Sequence, residues 1–327
     1  MIRLSIVIPF YNVEKYIAAC LDSVYNQDIP EEEYEVICVN DASPDGSRNI
    51  VFEYQKKHSN LILIEHEVNK KLGAARNTGR RIARGKYLWN VDSDDMIAPN
   101  CLRTIVSLCD SYKLDVLLFS CHYLCDGTIR VKETKPWIDN RQVLEGLSFW
   151  KQQVLHHQKE ISPVWTQVYR RDYLNENNIW SPNINMGEDV PYSYETILKA
   201  TRLLAINNPF YIYRKNDFSL TNTIARTPSP TTLFENCFVC AAQMSRLLRQ
   251  IPSKESAVSL SIKNTTRHII LRCSIFYNLL SQSDKNDFLF HCRQAFWRNL
   301  FVFRILNRKQ LYQYLAFLLN GKLFFEA

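Results

Sequence analysis

Hydrophobic residues in the first part of the chain form short runs, separated by stretches in which apolar residues recur at helical spacing. Four runs rich in β-branched and aromatic residues predict buried strands: 4–10, 34–40, 61–67 and 86–91. Three intervening stretches predict helices: 12–27, 48–58 and 71–85. Short buried strands that alternate with helices predict an α/β fold, in which a Rossmann-like, mostly parallel sheet is covered on both faces.

Local signals predict where some of these helices begin and end. Ser43, in the turn-forming segment "SPDGS", can cap the second helix, because serine side chains accept hydrogen bonds from a helix's first N–H groups. Gly85 is a typical stop signal for the third helix. Further along, 100–114 predicts another helix and 115–124 another strand.

The last third of the chain has a different pattern. Beyond about residue 230 almost only helical periodicity remains, which predicts a helical C-terminal region (226–327) after an α/β domain (1–225). Within it, residues 288–319 interleave arginines with aromatic residues. This composition is typical of a helix at an anionic membrane surface. The alternative is a helical region that packs on the first domain or on a second subunit of a homo-oligomer.

Composition is that of an ordinary globular protein and predicts a cytoplasmic location. The 327 residues are 46% apolar and 22% charged, and no run approaches the roughly 18 apolar residues of a spanning helix. The first apolar run is also too short for a signal peptide. We expect the ten cysteines to be reduced, with Cys237 and Cys240 of "CFVC" as core helix positions rather than metal ligands. The net charge of +7 favours anionic partners.

Polar residues follow three of the predicted strands at the point where each ends. Asn12 follows the first strand, Asp41 the second, and Asp92 and Asp94 the fourth. The carboxyl ends of parallel strands form one edge of a sheet, where α/β proteins bind ligands. Asp92 and Asp94 are two residues apart, roughly 6–7 Å between Cα atoms in extended chain. They could share a divalent cation with a nucleotide diphosphate, and a solvated acidic turn is the alternative.

The glycine motifs of the common phosphate-binding loops are missing from the sequence. There is no G-x-x-x-x-G-K-[ST] and no G-x-G-x-x-G. These motifs supply the backbone N–H groups that hold phosphate in P-loop proteins and dinucleotide-binding folds. The sequence therefore excludes kinases, P-loop enzymes and dinucleotide-dependent dehydrogenases.

Four sequence blocks, taken in order, resemble those of family 2 glycosyltransferases with the GT-A fold. They are "SIVIPFYN" (5–12), "VNDASPDGS" (39–47), "NKKLGAARNTGRRIARGKYLWNVDSDD" (69–95) and "NMGEDVPY" (185–192). The resemblance covers residues 3–225. It implies an inverting transfer of sugar from a nucleotide-diphosphate sugar, commonly a UDP-sugar, to a saccharide or lipid-linked saccharide, with Mn²⁺ or Mg²⁺. It also implies a role in cell-surface polysaccharide biosynthesis, at the inner face of the membrane or in the cytoplasm, without a nucleic-acid partner.

The resemblance also implies roles for individual residues. Seven would line the nucleotide site: Pro9, Tyr11, Asn12, Glu14, Asp41, Arg76 and Asp92. Asp94 would hold the metal together with Asp92, and Asp95 would orient these neighbours. Asp189 would act as the general base, positioned by Glu188. The alternative for the last two is an ordinary acidic pair in the first turn of a helix.

Two further segments resemble the family less closely. "VWTQVYRRDYL" (164–174) contains Trp165, which would border the donor sugar or the acceptor and is equally well explained by core packing. In the same segment Gln167 replaces the family's usual lysine. "YIYRKNDFSLTN" (211–222) contains Arg214 and Ser219, which would contact phosphate or acceptor.

Two other functions share part of this pattern. A sugar nucleotidyltransferase would have a similar α/β layout, but it should carry a glycine-rich basic loop after its first strand, and "PFYNVEKY" (9–16) has no glycine. A non-catalytic module that binds sugar nucleotides or glycans is the other alternative. The presence of Asp92, Asp94 and Asp189 argues against it.

Overall fold

A computed structural model describes most of the first 252 residues of the protein. The described ranges are 1–125, 128–130, 142–155, 163–184, 187–215 and 230–252, with scattered positions between 258 and 315. The chain divides into two compact units, one formed by 1–183 with 192–216 and the other by 184–191 with 217–327. The predicted division into domains at residue 225 stays a prediction.

Nine strands form a single sheet within the described part of the chain. They are β1 Leu4–Phe10, β2 Tyr34–Asn40, β3 Leu61–Glu65, β4 Tyr87–Asn90, β5 Met96–Ile97, β6 Val116–Cys125, β7 Thr128–Arg130, β8 Gln167–Arg170 and β9 Leu203–Arg214. Their spatial order is β3-β2-β1-β4-β8-β6-β9-β5, and β7 pairs with β6 at the side of this path. All five strands predicted from the hydrophobic pattern are confirmed.

The strands β3, β2, β1 and β4 form a parallel half-sheet. Every residue of β1, β2 and β4 is buried, as expected for strands covered on both faces. The register pairs Phe10 with Asn40 across β1 and β2, and Val7 with Asn90 across β1 and β4. The carboxyl ends of β1, β2 and β4 therefore face the same edge.

The other half of the sheet is mixed. Strand β8 runs antiparallel to both β4 and β6, β9 runs parallel to β6, and β5 runs antiparallel to β9. The short strands β5, β7 and β8 carry too few residues for a clear period, and the sequence did not predict them. Strand β8 joins the two halves. Strand β5, which follows β4 closely in sequence, pairs with β9 and so places the residues between β4 and β5 next to β9.

Eight α-helices have defined bounds in the described residues. They are α1 Ile17–Tyr25, α2 Ser47–Lys57, α3 Leu72–Ile82, α4 Leu102–Ser111, α5 Gly146–Leu155, α6 Arg171–Glu176, α7 Asp189–Lys199 and α8 Pro230–Leu248. Helix α1 buries Ile17, Cys20, Leu21 and Val24, which are positions of the predicted apolar face. The four helices predicted between residues 12 and 114 are confirmed. Helices α1, α3 and α4 are shorter than the periodicity suggested, and α2 is shifted by one residue.

The predicted role of Gly85 as a helix stop is wrong. Helix α3 ends at Ile82 and Ala83 is its C-cap. Gly85 instead lies against β1, where an added Cβ would stand 2.5 Å from the Ser5 nitrogen. Its N–H donates to Ser5 Oγ (2.9 Å) and to the fully buried carboxylate of Glu35 (3.2 Å). Glycine is required here by close packing of two backbone segments.

The predicted capping by Ser43 is also wrong. Asp45 Oδ1 accepts hydrogen bonds from the Ser47 N–H (3.1 Å) and the Ser47 hydroxyl (2.6 Å) at the start of α2. The Ser43 hydroxyl donates to the same oxygen (2.8 Å) and accepts from the Asn12 N–H (2.7 Å). A carboxylate serves this position well because it also interacts favourably with the helix dipole.

The second unit is described mainly through α8 and residues 187–191. Cys240 is buried and its thiol donates to the Gly187 carbonyl at 3.1 Å, so it is a core position as predicted; the side chain of Cys237 lies outside the described residues. Most of the basic aromatic segment 288–319 also lies outside them, and its membrane role stays a prediction. Among the helices that the structure describes, none has the length and apolar character needed to span a membrane.

Candidate active site

The loops after β1 and β2 are joined at the carboxyl edge of the sheet. Asn12 (φ 55°) and Ala42 (φ 60°) both adopt the left-handed conformation directly after these strands. Glu14 links the two loops, since its Oε2 accepts from the Gly46 N–H (3.0 Å) and its own N–H donates to Asp45 Oδ2 (2.8 Å). Glu14 thus holds the loops in place, in addition to its predicted place near the nucleotide.

Two of the predicted nucleotide residues frame the end of β1. Tyr11 is 48% exposed and directly follows the strand, so its ring is accessible to a ligand. Pro9 is buried inside the strand, opposite Val39 of β2. An exposed aromatic ring is a suitable surface for stacking a planar base.

Asp41, directly after β2, is buried and accepts two hydrogen bonds on one oxygen. Its Oδ1 lies 2.7 Å from His66 Nδ1 and 2.8 Å from the backbone nitrogen of Lys70. The other ring nitrogen of His66 lies 3.0 Å from Thr78 Oγ1 on α3. His66 was not predicted as a site residue. Its place one residue beyond β3, beside Asp41 at the end of β2, was the available signal.

Arg76 of α3 lies against Asp92, which follows β4. Its Nη2 donates to Asp92 Oδ1 at 2.8 Å, and the two side chains are 2% and 25% exposed. Shielding from water strengthens such a pair and fixes its geometry. Arg76 therefore orients the carboxylate that the sequence places first in the acidic motif.

Strand β9 supports the acidic turn 92–95 from the side. The Tyr211 hydroxyl donates to Asp95 Oδ2 (2.8 Å) and accepts from the Asp92 N–H (3.1 Å). Arg214 donates from its backbone nitrogen to Asp95 Oδ1 (2.7 Å) and from Nε to the Asp94 carbonyl (2.9 Å). The predicted site residue Arg214 thus contacts the turn itself. Tyr211, which was not predicted as a site residue, contacts it as well.

Negative charge is concentrated at this turn. Burial raises the pKa of the Asp95 carboxyl well above its ordinary value, and the neighbouring carboxylates of Asp94 and Asp92 raise it further. Asp95 is almost completely buried, whereas Asp92 and Asp94 are partly exposed. Asp95 therefore acts as an internal hydrogen-bonding group, and Asp92 and Asp94 are the acids that a ligand can reach.

The acidic turn has the donor chemistry for a divalent cation, but supplies few ligands. In the described residues, no group of three or more His, Cys, Asp or Glu side chains is placed to hold a metal. Asp92 and Asp94 offer hard carboxylate oxygens, which Mg²⁺ and Mn²⁺ prefer. Mg²⁺ usually takes one or two protein carboxylates and completes its shell with phosphate and water. The residues present fit a cation that is bound together with a diphosphate.

Trp165 and Gln167 are both interior residues. Trp165 is 9% exposed, stacks on Tyr211 with ring centroids 4.5 Å apart, and accepts a hydrogen bond from Trp89 Nε1 at its carbonyl (2.8 Å). This is the core-packing alternative, and contact with a sugar stays a prediction. Gln167 is fully buried and donates from Nε2 to the Ser193 hydroxyl on α7 (2.9 Å). A lysine in this arrangement would bury a charge, so glutamine here has a structural role.

The second unit contains the two acids predicted for catalysis. Gly187 has φ +83°, a conformation suited to glycine, and its carbonyl accepts from the Val190 N–H (3.2 Å) at the start of α7. Glu188 is buried and Asp189 is the half-buried first residue of α7. The helix N-terminus stabilises a negative charge there. Ser219, the remaining predicted site residue, lies outside the described residues.

The mixed sheet, with its polar residues at the carboxyl edge, defines a GT-A-type domain. The family description "Glycosyl transferase family 2" matches residues 5–178, which is more than half of the chain. The chain belongs to this family, and the fold and family expected from the sequence blocks are confirmed.

Individual relatives cover different shares of the chain. It is 32% identical over 219 residues to "Uncharacterized glycosyltransferase EpsJ" of Bacillus subtilis, covering 66% of this chain and 62% of that protein. It is 33% identical over 222 residues to "Poly(ribitol-phosphate) beta-glucosyltransferase" of Bacillus spizizenii, covering 66% of this chain but 33% of the relative. The match thus spans between a third and about three fifths of these relatives' lengths.

A solved structure is similar in fold. The crystal structure of Staphylococcus aureus TarS 1-349 in complex with UDP-GlcNAc has a TM-score of 0.70 at 22% identity. The comparison covers 96% of this chain and 88% of the TarS chain. At this level of identity the likeness establishes the fold.

Proposed function

We propose that this protein is an inverting glycosyltransferase that moves a sugar from a UDP-sugar to a saccharide or lipid-linked saccharide in cell-surface polysaccharide biosynthesis. The observation that carries the proposal is the grouping of Asp41, the Arg76–Asp92 pair and Asp94 at one edge of the parallel half-sheet. The relatives named for transfer to poly(ribitol phosphate), and the TarS complex with UDP-GlcNAc, support it.

In this proposal the first unit binds the donor. Asp41 accepts a hydrogen bond from the base, and Tyr11 lies beside the base ring. Arg76 holds the Asp92 carboxylate toward the ribose and, with Asp94, toward a divalent cation. When bound, such a cation stabilises the negative charge that develops on the departing diphosphate. Asp95, Tyr211 and Arg214 keep the turn in its conformation.

Transfer itself is assigned to Asp189. Its carboxylate takes the proton of the acceptor hydroxyl while that oxygen attacks the anomeric carbon. The bond from the anomeric carbon to the diphosphate breaks on the opposite side, so the product has the inverted configuration and UDP leaves. A well-placed general base contributes on the order of 10²–10⁴-fold. Glu188, buried next to Asp189 in sequence, is assigned the role of positioning it.

The test separates donor binding from transfer. Purified protein is supplied with UDP-sugars, Mn²⁺ and acceptor, and both UDP release and UDP affinity are measured. Asp189→Asn is expected to bind UDP like the wild type and to lose transfer by roughly 10²–10⁴-fold. Asp94→Asn is expected to weaken metal-dependent UDP binding.

A matched control is Asp172→Asn, which changes an exposed acid in the first turn of another helix, α6. It should leave both measurements unchanged. Full transfer in Asp189→Asn, or wild-type transfer that persists in excess EDTA, would contradict the proposed roles. UDP binding without transfer in every variant and in the wild type would favour a non-catalytic binding protein.

A further inference from the structure

The two carboxylate oxygens of Asp41 have different surroundings, because both neighbouring hydrogen-bond donors contact the same oxygen. Oδ1 lies within hydrogen-bonding distance of His66 Nδ1 (2.7 Å) and of the backbone nitrogen of Lys70 (2.8 Å). A carboxylate oxygen has about two lone-pair directions, so two donors fill Oδ1. Among the described residues, Oδ2 has no hydrogen-bond partner. A ligand that reaches Asp41 can therefore donate a hydrogen bond to one carboxylate oxygen, Oδ2.

The contacts of His66 keep its ring beside Asp41 Oδ1. The side chains of His66 and Asp41 are 4% and 6% exposed. The backbone N–H of His66 donates to the Asn40 carbonyl at 2.9 Å. Since the Asp41 carboxylate is an acceptor, Nδ1 carries the proton of this contact, and the other ring nitrogen, Nε2, bonds to the Thr78 hydroxyl (3.0 Å). Both ring nitrogens are thus engaged, and the imidazole cannot turn away from Oδ1 without losing both contacts.

The number of Asp41 carboxylate oxygens that can accept a hydrogen bond determines which nucleotide base fits. Uracil presents a single N–H between two carbonyls, which one carboxylate oxygen can accept. Guanine presents two adjacent donors, its ring N–H and its exocyclic amine, which match a carboxylate with both oxygens available, as in other bidentate pairs. Adenine and cytosine present a ring acceptor at the corresponding position and would face Asp41 with like-signed partial charge.

We propose that His66 is a positioning residue that sets base specificity, since by occupying Asp41 Oδ1 it restricts Asp41 to one hydrogen bond and favours uracil over guanine. The inference rests on the proposed role of Asp41 in binding the donor base. It concerns discrimination between nucleotides, which is separate from the assignment of Asp189 to transfer.

The test compares two amide replacements of His66 in the full-length protein. An asparagine amide reaches the place of Nδ1 and can still donate to Oδ1, whereas a glutamine amide reaches the place of Nε2 and leaves Oδ1 open. Dissociation constants for UDP and GDP are measured by calorimetry. His66→Gln is expected to lower the ratio Kd(GDP)/Kd(UDP) roughly tenfold, the size expected for one hydrogen bond to a charged group. His66→Asn should retain the wild-type ratio.

A second histidine provides the matched control. His58 precedes β3 and pairs through Nδ1 with Glu31 at 2.8 Å, so His58→Gln removes an imidazole–carboxylate contact at the opposite end of the same strand. It should leave the ratio unchanged. If His66→Gln does not fold, Thr78→Val removes the hydroxyl partner of Nε2 and should also lower the ratio.

The outcomes separate this inference from the proposed function. A wild-type protein that binds UDP, with an unchanged ratio in His66→Gln or an equal fall in His58→Gln, would overturn the role of His66 and leave the proposed function standing. A wild-type protein that binds GDP more tightly than UDP would also overturn it. A wild-type protein that binds neither nucleotide would contradict the proposed function itself.

Discussion

The hydroxyl of Tyr211 offers a sharp test of how the acidic turn is held. It donates to Asp95 Oδ2 and accepts from the Asp92 N–H, and the residue is fully buried. Tyr211→Phe removes one oxygen and preserves the ring that stacks on Trp165. The change therefore isolates two hydrogen bonds without creating a large cavity.

The expected cost follows from what remains behind. A buried carboxyl oxygen and a backbone N–H both lose a partner, and a buried polar group left unsatisfied costs about 1–3 kcal/mol. With a loss of about 2 kcal/mol and a urea slope of about 3 kcal/mol/M, the unfolding midpoint should fall by about 0.7 M. We also expect weaker UDP binding, because the Asp92 backbone is less restrained.

Tyr173→Phe is the matched control for this experiment. Tyr173 is buried in α6 and donates to the neutral carbonyl of Thr196 at 2.6 Å, far in sequence from the acidic turn. We expect it to cost about 1 kcal/mol and to leave UDP affinity unchanged. The reasoning would be refuted if Tyr211→Phe lost no more stability than Tyr173→Phe and bound UDP like the wild type.

Three further predictions concern stability, packing and the membrane. Although burial opposes it, hydrogen bonds from Thr201 and the Arg170 guanidinium hold the pKa of Asp115 below its ordinary value of 3.8. The ionised group therefore stabilises the fold above that pH, and the stability is lost as pH falls through the lowered pKa. Asp115→Asn should cost about 2 kcal/mol at pH 7, with the difference from wild type shrinking below pH 3.8 in urea melts. Gly85→Ala should cost about 1–3 kcal/mol by thermal denaturation, since its Cβ would meet the backbone of β1, and an unchanged melting temperature would refute this. Replacing the arginines of 288–319 with glutamine should abolish flotation with anionic liposomes if this segment binds membrane, and equal flotation would rule out that electrostatic contact.

The parallel half-sheet was predictable because its signals are local. Each of β1, β2 and β4 is buried on both faces, so its sequence is mostly apolar, with Ser5 and Glu35 as buried exceptions. The same local signals indicated Asp41 and Asp92 as edge residues before any contact was known.

The contacts that organise the site depend on residues distant in sequence. Tyr211 lies beside Asp92 because β5, which follows the acidic turn, pairs with β9, and β5 is too short to show a period. His66 reads as an ordinary polar residue until β2 and β3 are paired. Gly85 resembled a helix stop because glycine is common both after helices and at close backbone contacts, and only the packing of the segment after α3 against β1 distinguishes these two roles.

The strand order also sets the distance between the two acids to which the proposed function assigns the donor. Asp41 follows β2 and Asp92 follows β4, and β1 lies between these strands. Neighbouring strands are about 4.8 Å apart, so the two acids are held roughly 10 Å apart, comparable to the span from the base to the far side of the ribose. Backbone hydrogen bonds fix this spacing, and loop insertions cannot change it. In the proposed function, changes in the loops beyond the sheet would therefore alter the contacts with sugar and acceptor without moving the two acids assigned to the nucleotide.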